Sequence, residues 1–223
     1  MSKLFLVPTP IGNLEDMTFR AINVLNACDY ILAEDTRTSA VLLRHYEINK
    51  KAIPYHQHNE HKITNQIVEN LQAGQSYALI TDAGSPGISD PGFFIVRACI
   101  ENDIDIEALP GATAFVPALT ISGFASDSFC FEGFLPVKKG RQKKLTSLIE
   151  EKRTMIFYES PHRIIKTVEQ MIDYFGAERR VCVIKEISKL HETKYRGTLT
   201  EVTQQLKNEK IRGEFVVVLE GKV

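Results

Sequence analysis

Twelve consecutive residues, Thr81-Asp82-Ala83-Gly84-Ser85-Pro86-Gly87-Ile88-Ser89-Asp90-Pro91-Gly92, carry three glycines and two prolines. They follow an apolar run, Tyr77-Ala78-Leu79-Ile80, that reads as a buried strand. The segment from Pro91 to Ile100 reads as a helix, with Asp90 as its cap and Pro91 in its first turn. A strand, a glycine-rich loop and a helix in that order restrict the chain to folds with crossover connections. Glycine allows positive φ and close approach of a ligand to bare backbone. Sheets of α/β type place ligands outside the carboxyl ends of their strands. The loop is therefore the expected floor of a binding site, against the simpler reading of a tight strand-to-helix turn.

The same alternation runs through the first half. Strand signals at Leu4–Val7, Tyr30–Ala33, Ala52–Tyr55, Tyr77–Ile80 and Ile104–Leu109 alternate with helical spacing at 19–27, 36–46, 62–71 and 91–100. Asp16 or Thr18 suits the first N-cap, Gly74 suits a C-terminal cap, and Pro54 marks an edge strand. This rhythm predicts a mostly parallel sheet covered by helices. After Pro110-Gly111-Ala112-Thr113 comes a helical stretch, 114–121, and the domain boundary is expected just beyond it, giving domains 1–122 and 123–223. The second half has strand signals at 129–135, 154–158, 181–187, 195–199 and 215–219 and helices at 141–151, 161–175 and 201–207. Between Val181 and Leu199 two strands leave no room for a helix, so this sheet is expected to be mixed. The fold class is α/β, in two domains.

Charge separates the halves. Residues 1–135 hold 8 Lys/Arg against 16 Asp/Glu, and residues 136–223 hold 19 against 12. Such asymmetry suits either a polyanion-facing surface or charge matching across an interface. The most basic run is Lys138-Lys139-Gly140-Arg141-Gln142-Lys143-Lys144, which follows a strand end at Phe134-Leu135-Pro136. Such runs are usually solvated faces, but at the mouth of a cleft they suit phosphate contacts, which position a nucleic acid without reading it. No apolar stretch reaches membrane-spanning length. The N-terminus lacks signal-peptide architecture. The four cysteines at 28, 99, 130 and 182 read as buried thiols of a reducing compartment, with the cytoplasm as the expected location.

Other motifs carry competing readings. Val7-Pro8-Thr9-Pro10-Ile11-Gly12 is neither GxGxxG nor part of a P-loop, so a dinucleotide or NTPase site is not expected. His56, His58 and His61 with Glu60 could bind zinc, but no second ligand cluster accompanies them, and a solvated loop before a helix explains them more simply. No metal is expected. Glu34-Asp35-Thr36-Arg37 closes a strand, where the carboxylates could hold a ribose or simply cap the next helix. Glu159-Ser160-Pro161-His162-Arg163 occupies the equivalent place in the second half. It puts His162 and Arg163 in a helix's first turn, where cations are disfavoured, which favours a substrate role.

These residues also carry a family resemblance. LFLVPTPIGNLEDMTFRA, AEDTR, TDAGSPGISDPG, LPGATAFVPAL, FEGFLP, FYESPHR and KEISKLHE occur in that order. Together they resemble the ribosomal RNA small subunit methyltransferase I family of the tetrapyrrole methylase superfamily. The resemblance implies an S-adenosylmethionine-dependent enzyme that 2′-O-methylates a cytidine in the decoding region of 16S rRNA. The expected substrate context is the small ribosomal subunit. It further implies two α/β domains, a cofactor cleft between them, and a homodimer. Carried over by motif, cofactor contacts fall on Pro8, Thr9, Asp82, Gly84, Ser85, Gly87, Thr113, Ala114, Leu135 and Pro136, with Gly213-Glu214 as an addition. Many members continue beyond the point where this chain stops, which shifts the expected grip on RNA to residues 138–144. Candidates for the base or for ribose positioning are Glu34, Asp35, Glu159, His162 and Glu186. Arg37, Arg163 and Lys185 are expected to steady phosphate, and Lys138, Lys139, Arg141, Lys143 and Lys144 to bind RNA. The rival readings are a tetrapyrrole-precursor methylase, a zinc hydrolase built on the three histidines, and a non-catalytic RNA-binding module.

Overall fold

The structure is a computed structural model that describes residues 2–222. The chain falls into two compact units, Met1–Thr113 and Ala114–Val223. The first contains β1 (Lys3–Leu6), α1 (Phe19–Ala27), β2 (Tyr30–Ala33), α2 (Thr36–His45), β3 (Ala52–Pro54), α3 (Glu60–Gln72), β4 (Ser76–Ile80), α4 (Phe93–Glu101) and β5 (Ile106–Ala108). Its strands pair in the order β3-β2-β4-β1-β5, every pair parallel. Both faces are covered, which is why the strands read as continuous apolar runs. Side chains alternate along each strand. Ile31, Ala33, Ala78 and Ile80 therefore join Ala21, Leu25 and Leu43 of α1 and α2, while Leu32, Tyr77 and Leu79 join Ile67, Leu71, Ile95 and Cys99 of α3 and α4. The adjacent strands β1 and β4 lead to helices on opposite faces. Their carboxyl ends therefore mark the switch point of a doubly wound sheet.

The second unit contains α5 (Phe115–Ser122), β6 (Phe129–Phe134), α6 (Arg141–Ser147), β7 (Thr154–Glu159), α7 (Ile164–Phe175), β8 (Arg180–Lys185), β9 (Thr193–Thr198), α8 (Leu199–Lys207) and β10 (Phe215–Leu219). The sheet order is β6-β7-β10-β8-β9, with β6 parallel to β7 and the remaining pairs antiparallel. Helices α6, α7 and α8 pack Leu145, Val168, Met171 and Val202 onto Met155, Phe157, Val183 and Val217. Helix α5 lies against β7, β8 and β10. It therefore belongs to the second unit, whereas the sequence places the division after it.

Several element starts differ from the sequence expectation. Helix α4 begins at Phe93 behind Gly92, whose φ is +147°, and no side chain caps it. Pro91 belongs to the loop, because its carbonyl accepts from the Gly87 N–H at 3.1 Å. Asp90 is therefore not the cap. Helix α7 begins at Ile164, since Arg163 and Ile164 both donate to the Ser160 carbonyl in the preceding turn. His162 and Arg163 thus precede the helix. Helix α6 ends at Ser147, and β5 covers only Ile106–Ala108. Helix α8 starts early because Thr198 and Glu201 form a reciprocal cap. There the Glu201 N–H donates to Thr198 Oγ1 at 3.2 Å and the Thr198 N–H donates to Glu201 Oε2 at 2.8 Å. Thr198→Ala should lower stability by about 1 kcal/mol, read as a reduced urea midpoint with unchanged denaturant slope.

Candidate active site at the carboxyl edge of each sheet

Because the first sheet is wholly parallel, its strands deliver their carboxyl ends to one edge. Three of the loops there interlock. Thr9 and Gly84 exchange backbone hydrogen bonds, each N–H donating to the other's carbonyl at 2.9 Å. Thr9 Oγ1 donates to the Thr81 carbonyl at 3.0 Å, and Ser85 Oγ donates to the Ala112 carbonyl at 3.1 Å. Gly84 adopts φ +83°, a conformation that costs glycine little. Gly111 is needed for space, since a Cβ there would lie 2.7 Å from Pro8 Cβ. Pro8, Thr9, Asp82, Gly84, Ser85, Gly87 and Thr113 are thereby gathered on one platform. Gly87, also at positive φ, is exposed, and a Cβ on it would meet nothing within 4 Å. Its backbone is bare toward that space.

Beside this platform is a cavity of about 400 Å³ lined by residues including Thr9, Leu14, Thr38, Ser39, Leu42 and Asp82. Ser39 is 2% exposed, and its Oγ has no hydrogen-bond partner. Glu34 and Asp82 follow adjacent strands and are clasped reciprocally. The Asp35 N–H donates to Asp82 Oδ1 at 3.2 Å, and the Asp82 N–H donates to the Glu34 carboxylate. Burial pushes the Glu34 carboxyl above its ordinary pKa, and the Asp82 charge adds to the rise. Asp82 keeps an edge open to solvent, yet the protein around it raises its carboxyl too. Asp35 is opposite in character. Its side chain caps α2 through the Arg37 N–H, and the Arg37 guanidinium grips it at 2.6 Å, holding its pKa at about 2. Arg37 is thus engaged by Asp35 at the surface.

The second sheet collects its candidates in the same manner. Phe134 pairs with Tyr158, and Phe215 pairs with both Glu159 and Lys185. Leu135-Pro136, Glu159–Arg163, Lys185-Glu186 and Gly213-Glu214 therefore share one edge. Glu159 is 2% exposed with both oxygens occupied. Its Oε1 accepts from the Ser160 N–H at 2.7 Å and pairs with Arg163 at 2.9 Å, while Oε2 accepts from Thr167 Oγ1 at 2.8 Å. Glu186 sits at φ +54°. Burial alone would raise its pKa, but the Lys189 ammonium at 2.8 Å and the Glu214 N–H at 2.9 Å outweigh that and hold it low. His162 is exposed in the turn before α7.

The basic run does not act as a unit. Lys138, Lys139 and Lys143 are exposed and pair with no carboxylate among the described residues. Lys144 is held by Glu132, which lies at the bulge in β6. Arg141 is a correction to the expected solvated RNA contact. It is 8% exposed and spends its donors inside the protein, on Gln170, Pro136 and Thr167. Among the described residues no group of three His, Cys, Asp or Glu side chains is placed to hold a metal ion. His61 instead packs on Phe94, with ring centroids 4.1 Å apart. The cysteines are free, three of them buried and Cys130 partly so. Burial raises all four thiols, Cys99 to about 11. No helix among the described residues is long and apolar enough to cross a membrane. Sequence reasoning missed Thr38, Ser39 and Leu42, which carry no signal beyond the helical spacing of α2.

Residues 3–203 match the family model for tetrapyrrole (corrin/porphyrin) methylases. The fold is similar to that of uroporphyrin-III-C-methyltransferase from Thermus thermophilus. The TM-score is 0.69 at 18% identity, covering 99% of this chain and 94% of that one. The class is thus a methyltransferase of the tetrapyrrole methylase fold. Two curated proteins named ribosomal RNA small subunit methyltransferase I are similar throughout. That of Synechocystis sp. is 48% identical over 99% of this chain and 80% of its own length, and that of Pasteurella multocida is 50% identical over 99% and 79%. The chain belongs to the ribosomal RNA small subunit methyltransferase I family.

The raised Glu34 carboxyl has a consequence for stability. The folded state holds this proton more tightly than the unfolded chain, so stability falls as pH rises from the ordinary carboxylate value through the raised one. Glu34→Gln should be more stable than the parent above that window, with the advantage shrinking below it. Urea midpoints of both proteins between about pH 4 and pH 8 measure this.

Proposed function

We propose that this methyltransferase uses S-adenosylmethionine to methylate the ribose 2′-hydroxyl of a cytidine in 16S ribosomal RNA, within the small subunit. The observation that carries the reading is the interlocked platform of the loops after β1, β4 and β5, with the Glu34–Asp82 clasp beside it. Gly84 at positive φ, the bare Gly87 backbone and the close Pro8–Gly111 approach suit a bound cofactor. On the first unit Pro8, Thr9, Asp82, Gly84, Ser85, Gly87 and Thr113 would hold it. Ala114, Leu135 and Pro136 are the proposed contacts on the second. When bound, S-adenosylmethionine supplies an activated methyl group.

The residues then have two tasks. The first is orientation, which can contribute roughly 7–11 kcal/mol when reacting atoms are held in line. The second is the acceptor proton. Transfer of a methyl group to the 2′-oxygen would require its hydroxyl proton to leave. Glu34 is the proposed acceptor, because burial makes it a stronger base than an ordinary carboxylate. Asp35 and Glu186 are held low by cations, and Glu159 is buried with both oxygens engaged inside the protein, so these three are assigned to positioning. Phosphate contacts are assigned to Lys138, Lys139, Lys143, Lys144 and Lys185 on the second unit and to Arg37 on the first.

The test uses small ribosomal subunits from cells lacking this protein, incubated with methyl-labelled S-adenosylmethionine. After alkaline hydrolysis, label should remain in an alkali-resistant dinucleotide. Unlabelled RNA alongside intact cofactor binding would sink the RNA assignment and leave the fold and the cofactor standing. Glu34→Gln should slow single-turnover transfer by about 10²–10⁴-fold with cofactor affinity retained. An unchanged rate would remove Glu34 as the base. Changing Lys138, Lys139 and Lys143 together to Gln should weaken RNA binding and reduce its salt slope by about one for each phosphate the protein no longer neutralises.

A further inference from the structure

Two guanidinium groups hold neighbouring carbonyls just beyond the end of β6. Arg163 Nη1 donates to the Leu135 carbonyl at 3.3 Å, and Arg141 Nη1 donates to the Pro136 carbonyl at 3.2 Å. Both trace back to one carboxylate. Glu159 Oε1 pairs with Arg163 Nη2 at 2.9 Å. Glu159 Oε2 accepts from Thr167 Oγ1 at 2.8 Å, and that hydroxyl accepts from Arg141 Nη2 at 2.8 Å. Gln170 Oε1 accepts a third hydrogen bond from Arg141, through Nε, at 2.7 Å.

Surface charge does not account for this arrangement. Arg141 opens α6, where a cation opposes the helix dipole, and burial presses its pKa down. A buried charge is tolerated only with its hydrogen bonds made. The pairing of β6 with β7 ends at Phe134, so the carbonyls of Leu135 and Pro136 have no strand partner. The guanidinium pair fixes them instead, through planar forks that a lysine cannot reproduce.

We infer that Arg141 is a positioning residue for the cofactor. Together with Arg163, Thr167 and Glu159 it presets the Leu135-Pro136 loop, so that binding does not have to order it. This rests on the proposed reading that the loop touches S-adenosylmethionine. Arg141 then acts through backbone it holds in place and makes no contact with RNA.

The experiment measures S-adenosylmethionine affinity by calorimetry, thermal stability, and the salt slope of RNA binding in the full chain. Variants are Arg141→Met, Arg141→Lys and Thr167→Val. Arg141→Met should weaken cofactor binding at least about tenfold with the RNA salt slope unchanged. Arg141→Lys should fail to restore it, since charge without the fork holds one carbonyl poorly. Thr167→Val, which leaves both arginines in place, should weaken cofactor binding in the same direction and keeps the test open if Arg141→Met does not fold. Three results overturn the inference. One is a salt slope lowered by about one with cofactor affinity intact, marking Arg141 as an RNA contact. Another is reduced stability with cofactor affinity intact, marking a purely structural role. The third is full rescue by lysine. Absence of cofactor binding by the parent protein would instead defeat the underlying functional reading.

Discussion

Two hydrogen bonds between Thr9 and Gly84 join the loop that leaves β1 to the loop that leaves β4. Everything proposed for the first unit depends on them. A parallel sheet brings strand ends to one edge, but it leaves the loops beyond to find their own partners. Here the backbone of Thr9 and Gly84 supplies those partners as a short antiparallel bridge. The Ser85 hydroxyl ties in the loop after β5. The cost of ordering three loops is met within the fold, so a ligand finds them already placed.

The second unit solves the same problem with charge. Among the described residues its loop after β6 makes no bridge of that kind and rests on the guanidinium groups of buried Arg141 and half-buried Arg163, both linked to Glu159. Such a network contributes little net stability, because desolvating its ions offsets much of their attraction. Its value is geometric. Each hydrogen bond fixes one donor on one acceptor, and loss of a member leaves its partners' polar groups unsatisfied. That explains how a glutamate at a strand end, with the appearance of a catalytic group in the sequence, serves as a foundation.

The fold was legible in the sequence wherever one residue type has one physical use. Apolar runs buried on both faces marked the parallel strands. Thr18 and Asp35 cap their helices with their side chains, and Gly74 takes the positive φ that ends α3. The helix starts at α4 and α7 were not legible, because Asp90, Pro91 and Ser160 are good start signals that the loop used for its own turns. Arg141 was hidden for a different reason. In one dimension it is one cation among five, and its partners Thr167 and Gln170 lie 26 and 29 residues downstream. A trace existed: Arg163, Thr167 and Gln170 fall at spacings of four and three, a polar stripe running into α7. Reading it required knowing which charge would come to meet it.

The strand-end carboxylates show why position alone does not make a base. Asp35, Glu159 and Glu186 sit at places equivalent to Glu34, and each meets a cation. Arg37 holds Asp35 near pKa 2, Arg163 occupies Glu159, and Lys189 holds Glu186 low. An ion pair of that kind stabilises the anion and so weakens it as a proton acceptor. Glu34 has no lysine or arginine partner among the described residues, and its near neighbour is another carboxylate, Asp82. Burial and like charge act together there and raise its affinity for a proton. The Asp82 N–H and the nearby His56 act in the opposite direction and offset part of that rise. Of the four, Glu34 alone combines a raised carboxyl with a place beside the interlocked loops, which is what supports proposing it as the proton acceptor.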